Sequence, residues 1–450
     1  MKYINSIKYI NCTFNTKYLI AQRSYFIECD FLKDVNLYPF LGVENSEIYH
    51  YIKCNFQSKV CFQPSIFLGE VNYNVFKNCF FESELIVDSL NFKKNLFYFP
   101  DFNNEEDVEI LQDDFNDMKN FYSLNILLIK KCIFDLDFKL NGFDDFYLDK
   151  INLYGINFNI DDLIIKSLKV IDTKFESKLE IKNRVVRDFL FKNSNVEKLF
   201  DSFESKFEKS YFYKSIFNSF AGFEKVVFGI KDKDTDEYQA KFVYTTFMSF
   251  SNFRRTKFLS GLDFENSNLK EQPNFLKTYI SSNNTNRESF RIIKHSFDTS
   301  GNKLEANKFF VKEMQAYKKE VNQVKYNGAE IDEEQESSKN AALIFYLNNY
   351  ISEFGENYVK PIKILLVSAI IYTLINMYNK WYFESHEYFM SWQWFDVISK
   401  FLNELAVNIL PFRLFIKDRN GIEFISLFFY IWFAVLIWQT IVAVKRHTQR

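Results

Sequence analysis

Between residues 203 and 269 the chain places a large apolar side chain about every five residues, with occasional steps of six and one of four: Phe203, Phe207, Phe212, Phe217, Phe223 and Phe228, then Phe247, Phe253, Phe258, Phe264 and Leu269. A helix repeats its apolar face about every 3.6 residues and a lone strand about every 2, so neither accounts for this step. A β-solenoid does, because each short segment forms one face of a coil and sends one large side chain inward. Stacked coils then share a continuous core. The residue two places before each anchor turns inward at a tighter corner and has to be small. Ser210, Ser215, Ser251, Thr256 and Ser267 stand two before Phe212, Phe217, Phe253, Phe258 and Leu269.

The cysteines obey the same rule. Cys12, Cys29, Cys54, Cys79 and Cys132 stand two before Phe14, Phe31, Phe56, Phe81 and Phe134, and Cys61 alone departs from it. A free thiol is small and apolar enough for a buried corner. No CxxC pair or Cys/His cluster gives a metal or redox reading a foothold. Residues 203 to 269 also carry Ser251-Asn252-Phe253 and Ser267-Asn268-Leu269. In these the segment resembles the pentapeptide-repeat family, whose unit is a small residue, Asn or Asp, Leu or Phe, and two free positions. The resemblance implies a mainly β fold: a right-handed, four-sided β-helix of roughly 20 residues per coil. The expected solenoid runs over 1–280, with Phe253, Phe258, Phe264 and Leu269 in its core. Acidic insertions near 101–118 and 231–238 read as solvated loops.

From Asn286 the five-residue step gives way to a helical period. Two helices are expected in a hairpin over 286–321, Glu288 to Phe297 and Asn302 to Val321, separated at Gly301. Ala306, Phe310, Met314, Tyr317 and Val321 share one face of the second. Phe290-Arg291 with Lys294, and Ala306-x-x-Phe309-Phe310-x-x-Glu313-Met314, resemble the segment that follows the β-helix in membrane-attached pentapeptide-repeat proteins; Glu313 itself reads as one half of a helix-face ion pair. Residues 322–340 are acidic and apolar-poor, which reads as a linker. Over 341–450 an amphipathic helix from Ala341 to Tyr358, stopped by Lys360-Pro361, precedes a transmembrane domain.

Phe424 to Val444 is an unbroken apolar run closed by Lys445 and Arg446, long enough to cross a bilayer as a helix. With Ile364 to Tyr378 it predicts two spans, about 362–383 and 422–444. All five tryptophans lie beyond residue 380, where the amphipathic indole suits a membrane interface. Met1 to Phe14 lacks the apolar core of a secretory signal, so the solenoid is expected in the cytoplasm with its thiols reduced. The resemblance implies a bacterial inner membrane.

Between the spans, Trp394 to Phe415 is too polar to cross simply and too apolar to be a free loop, so it reads as interfacial or re-entrant. Asn403, Glu404, Asn408, Pro411 and Gln439 are the candidate pore or membrane-interface residues. Phe395-Asp396 and Leu410-Pro411-Phe412 resemble the family's short Leu-Pro-Phe variant, and no potassium-filter sequence occurs. A formal net charge of -2 argues against nucleic acid as a partner. No Walker loop, GxGxxG, GxSxG or HExxH is present, and the four histidines are scattered, so no enzyme activity, metal or cofactor is expected. The expected function is a cytoplasmic solenoid, acting as a sensor or interaction domain for an unidentified protein or trigger ligand, that controls a homo-oligomeric, channel-like membrane effector. By analogy the resemblance points to phage defence. The alternative is a membrane-anchored interaction scaffold without conductance.

Overall fold

The computed structural model describes residues 7–16, 18–19, 24–38, 49–64, 69–77, 79–97, 124–140, 164–233, 235–326, 345–383, 394–409 and 421–448. The chain divides into two compact units, Met1–Ser296 and Phe297–Arg450.

Among the described residues the first unit is built from short strands in sheets of 4, 5, 8 and 16 strands. Their pairings are parallel and join each coil to the next: Val185 lies beside Ile164 and Lys206, Asn195 beside Lys174 and Ile216, and Phe200 beside Leu179 and Ala221. Successive coils here are offset by 21 residues, the separation between the Arg184 N–H and its acceptor Ser205 Oγ. Parallel strands stacked in this way are consistent with a β-solenoid.

Two features of the sequence make the corners. The residue just before an inward small residue adopts a left-handed backbone: Asn193 before Ser194, Lys214 before Ser215, Glu204 before Ser205 and Arg255 before Thr256 all have φ between 49° and 57°. That conformation turns the chain without a glycine, although it costs energy for any residue with a Cβ. The small hydroxyl that follows offsets the strain by bonding across coils. Thr173 N–H donates to Ser194 Oγ at 3.1 Å and Ser194 N–H to Ser215 Oγ at 3.2 Å, while Ser194 Oγ donates to the Lys192 carbonyl at 2.8 Å. At Thr173, Ser194 and Ser215 the buried polar groups of the corners are thereby satisfied within the stack, whereas the buried hydroxyls of Ser210 and Ser251 make no hydrogen bond among the described residues.

Inside, aromatic rings form columns whose spacing follows the separation of the strands, about 4.8 Å. Phe253 stacks on Phe223 at 4.8 Å and on Phe275 at 5.1 Å, Phe228 on Phe258 at 5.2 Å, and Phe212 on Phe242 at 4.5 Å. Phe253, Phe258 and Phe264 are fully buried, whereas Leu269 is only half-buried. Phe203 is also half-buried and lies beneath the Lys225 ammonium, 4.9 Å from its ring centre, so it is not an inward anchor.

The early cysteines form a column of the same type. The pairing of Thr13, Asp30, Asn55 and Phe80 stacks Cys12, Cys29, Cys54 and Cys79 coil on coil. Cys54 Sγ donates to the Phe26 carbonyl at 3.4 Å and Cys79 Sγ to the Tyr51 carbonyl at 3.3 Å, each one coil away. All six cysteines are free thiols; Cys29, Cys54, Cys79 and Cys132 are buried, while Cys12 and Cys61 are half-buried. The hydrogen-bonded Cys54 thiol and then burial raise the Cys29 pKa well above the ordinary range, burial raises that of Cys54, and burial pushes Cys132 up to about 12.

The insertion at 101–118 lies outside the described residues. That at 231–238 lengthens one coil, so that Ile230 N–H reaches Ser260 Oγ 30 residues on, at 3.1 Å. The last coil is closed by helix α1 (Arg287–Thr299). Asn286 Oδ1 caps the helix by accepting from Ser289 N–H at 2.9 Å, and Ser289 Oγ accepts from Phe264 N–H at 2.8 Å. Phe290 and Ile293 are buried, so a sheet end that would otherwise be an open edge is covered.

In the second unit, the end of α1 turns through Gly301 into α2 (Lys303–Tyr326), with Phe297 stacked on Phe309 at 5.5 Å. Helix α2 continues five residues past the expected end at Val321. Its buried positions are Ala306, Phe309, Val311, Glu313 and Ala316; of the expected stripe Ala306 is buried, Phe310, Met314 and Tyr317 are half-buried, and the Val321 side chain lies outside the described ones. The physical reason is that Phe310 instead serves the C-terminal helix, as described below. Residues 327–340 lie outside the described residues. A helical stretch over 345–352 ends in a 3-10 turn, Glu353–Gly355, rather than at Lys360-Pro361. Pro361 falls in the first turn of α3 (Val359–Phe383), where a missing N–H leaves no bond unmade. Helices α4 (Trp394–Ile409) and α5 (Glu423–Thr448) complete the unit.

Candidate functional site

Among the described residues two helices are long and apolar enough to cross a membrane, Val359–Lys380 with 22 residues and Glu423–Thr448 with 26. At about 1.5 Å per residue the shorter spans about 33 Å. Only 33% and 17% of their most apolar stretches are buried. The outward faces carry Leu366, Val367, Ile371 and Leu374 on α3, and Phe424, Phe428, Ile431, Trp438 and Ile441 on α5, all exposed. The core of a soluble bundle would bury these side chains and expose the polar ones.

Here the polar side chains face inward. Tyr372, Ala369, Phe433, Leu436 and Ile351 form a buried cluster between the helices, and the Tyr372 hydroxyl donates to Ser426 Oγ at 2.9 Å. Trp432 Nε1 donates to Ser368 Oγ at 3.1 Å, and Ser352 Oγ donates to Gln439 Oε1 at 3.0 Å. Gln439 also lines an apolar cavity of about 310 Å³ with Leu347, Ile351, Phe428 and Val435.

The densest polar contact joins α3 to α4. Thr373, Asn376 and Lys380 recur at helical spacing on one face of α3, opposite Glu404 and Asn408 on α4. Asn408 Nδ2 donates to Thr373 Oγ1 at 3.1 Å, and Thr373 Oγ1 in turn donates to the Ala369 carbonyl at 2.8 Å. Asn376 Nδ2 donates to Glu404 Oε2 at 3.2 Å, and the Lys380 ammonium pairs with the other carboxylate oxygen. A charged pair among apolar helices is stable only when matched and hydrogen-bonded in this way.

This arrangement changes the argument for self-association. Of the candidate pore residues Asn403, Glu404 and Asn408, a second copy is needed only by those that lack partners within one copy. Glu404 and Asn408 have them, and only Asn403 is exposed, on the α4 face that also shows Ile398, Leu402 and Val407. Pro411 and the Leu410-Pro411-Phe412 motif lie outside the described residues. Thr373 and Asn376 went unsuggested by sequence reasoning, although two polar residues three apart in an apolar run were a usable signal.

A second junction ties α5 to the rest of its unit. The Arg446 guanidinium lies 4.6 Å from the Phe310 ring centre and donates to the Phe354 carbonyl, while Asn307 Nδ2 donates to the Arg446 carbonyl at 3.0 Å. The turn that receives Arg446 has a left-handed backbone at Glu353, Phe354 and Gly355. At Gly355, with φ +84°, a Cβ would come within 3.0 Å of the arginine.

No family model matches the chain, and neither a curated protein nor a solved structure matches it.

Proposed function

We propose that the chain is a membrane-anchored interaction protein, in which a cytoplasmic β-solenoid is held at the bilayer by α3 and α5. The outward faces of α3 and α5 carry this reading: they are long and apolar, while polar side chains such as Thr373, Asn376, Glu404 and Asn408 bond to one another between helices. The pentapeptide-repeat assignment, the right-handed coil, the bacterial inner membrane and a role in phage defence rest on the sequence resemblance alone.

The second reading is the channel-like effector, in which several copies associate through α4 around a permeation path. Exposed Asn403 among Ile398, Leu402 and Val407 favours it, because an uncovered amide on an apolar face gains from a partner in lipid. Closure of Glu404 and Asn408 within one copy speaks against it. Expression of the intact protein with a membrane-potential dye decides between them. A scaffold leaves the potential unchanged, and an effector collapses it in a manner sensitive to Asn403→Leu.

A further inference from the structure

The long coil created by the 231–238 insertion builds a pocket on the solenoid. Outward of the core, Lys257 and Tyr279 are side by side in adjacent parallel strands, while their neighbours Phe258 and Ile280 point inward. Both ends of the insertion are fixed. Ser260 Oγ accepts from Ile230 N–H at 3.1 Å and donates to the Ile230 carbonyl at 2.9 Å, and Gln239 Nε2 donates to the Asn284 carbonyl at 2.8 Å. Gly229, at φ +82°, permits the close approach, since a Cβ there would meet Ser260 Oγ at 2.6 Å. The result is a cavity of about 460 Å³ lined by Lys231, Asp232, Lys257, Tyr279, Ser281 and Asn283.

We infer that this pocket binds a small organic phosphate. Lys231 and Lys257 both line this cavity, and among the described residues neither takes part in an ion pair, so two ammonium-bearing side chains border one space whose lining holds a single carboxylate, Asp232. Two such donors suit the oxygens of a phosphate ester. Tyr279 is 56% exposed and offers a ring for the organic part, and the Asp232 carboxylate is an acceptor for a ligand hydroxyl. Free phosphate can satisfy the lysines but carries no organic part to lie against Tyr279. The volume falls within the usual range for small-ligand sites. The inference stands on the solenoid alone and does not depend on the membrane reading.

Calorimetric titration of the full-length protein in detergent tests it, with ribose 5-phosphate and inorganic phosphate as probes at low salt. Ribose 5-phosphate is expected to bind, Lys231→Gln and Lys257→Gln each to weaken it about tenfold, and added salt to weaken it further. Asp232→Asn is expected to weaken the sugar phosphate and strengthen inorganic phosphate. Unchanged hydrogen exchange of the solenoid in the lysine variants excludes misfolding as the cause. No binding of ribose 5-phosphate up to about 1 mM, equal affinity in the double lysine variant, or tighter binding of inorganic phosphate by the unaltered protein would each overturn the assignment.

Discussion

Truncating Phe253 to alanine removes a ring with no solvent exposure, stacked on Phe223 at 4.8 Å and Phe275 at 5.1 Å. Burial of the ring contributes about 2–3 kcal/mol. Each of its two stacked partners adds about 0.5–1.5 kcal/mol. Strands on both sides prevent the site from collapsing, so the loss should fall at about 3–5 kcal/mol, the range for large core truncations. Met248 lies one coil corner away and is 45% exposed, so Met248→Ala should cost no more than about 0.5 kcal/mol. Hydrogen exchange on the full-length protein reads both, because coils in a repeat stack open locally. Amides over 246–258 should lose about a hundredfold to several thousandfold in protection in the Phe253 variant and almost none in the Met248 variant. Similar losses in the two would refute the inward column.

The thiols and the imidazole give chemical tests. Cys61 and Cys12 should alkylate before Cys29, Cys54 and Cys132, whose thiolates are disfavoured by their raised pKa; fast labelling of the latter would contradict their burial. His50 is buried between Tyr25 and Tyr73, and burial lowers its pKa. Below about pH 6.5 the unfolded chain therefore binds the proton more readily than the folded one. Amides near 49–56 should be best protected above that pH and lose protection as it falls, once intrinsic exchange rates are corrected; a His50→Asn variant should lose this dependence. In the helical unit, Glu404→Gln should cost about 1–2 kcal/mol by leaving Lys380 without its charge partner, and Lys380→Met with Glu404→Leu should recover much of it. Thermal unfolding in micelles measures both, and additive losses would contradict the pairing. Gly355→Ala should cost about 1–2 kcal/mol through its left-handed backbone and its contact with Arg446; an unchanged melting temperature would count against that junction.

Much of the solenoid was legible because its signal is compositional. A Phe every fifth residue with a small residue two before it states which side chains point inward, and Phe253, Phe258 and Phe264 do. The corners were not legible. Lys214, Glu204 and Arg255 adopt left-handed backbone with no mark in their residue type, since the strain is offset by hydroxyl ladders in neighbouring coils. Periodicity also misassigned the buried face of α2, because Phe310 is drawn to Arg446, a contact 136 residues away in sequence that no local pattern records. The same holds for Glu404 and Asn408. Their polarity was visible on an otherwise apolar helix, but whether Lys380 and Thr373 or a second copy satisfied them depended on how α3 and α4 pack.

Membrane anchoring is the central claim, and resistance to alkaline carbonate tests it most directly. Vesicles from cells expressing the full-length protein are washed at high pH, floated through a density gradient and probed for the chain. If α3 and α5 cross the bilayer, the protein floats with the lipid and is released only by detergent. Recovery in the soluble fraction at the bottom of the gradient would show that the exposed apolar faces of α3 and α5 are covered by protein instead.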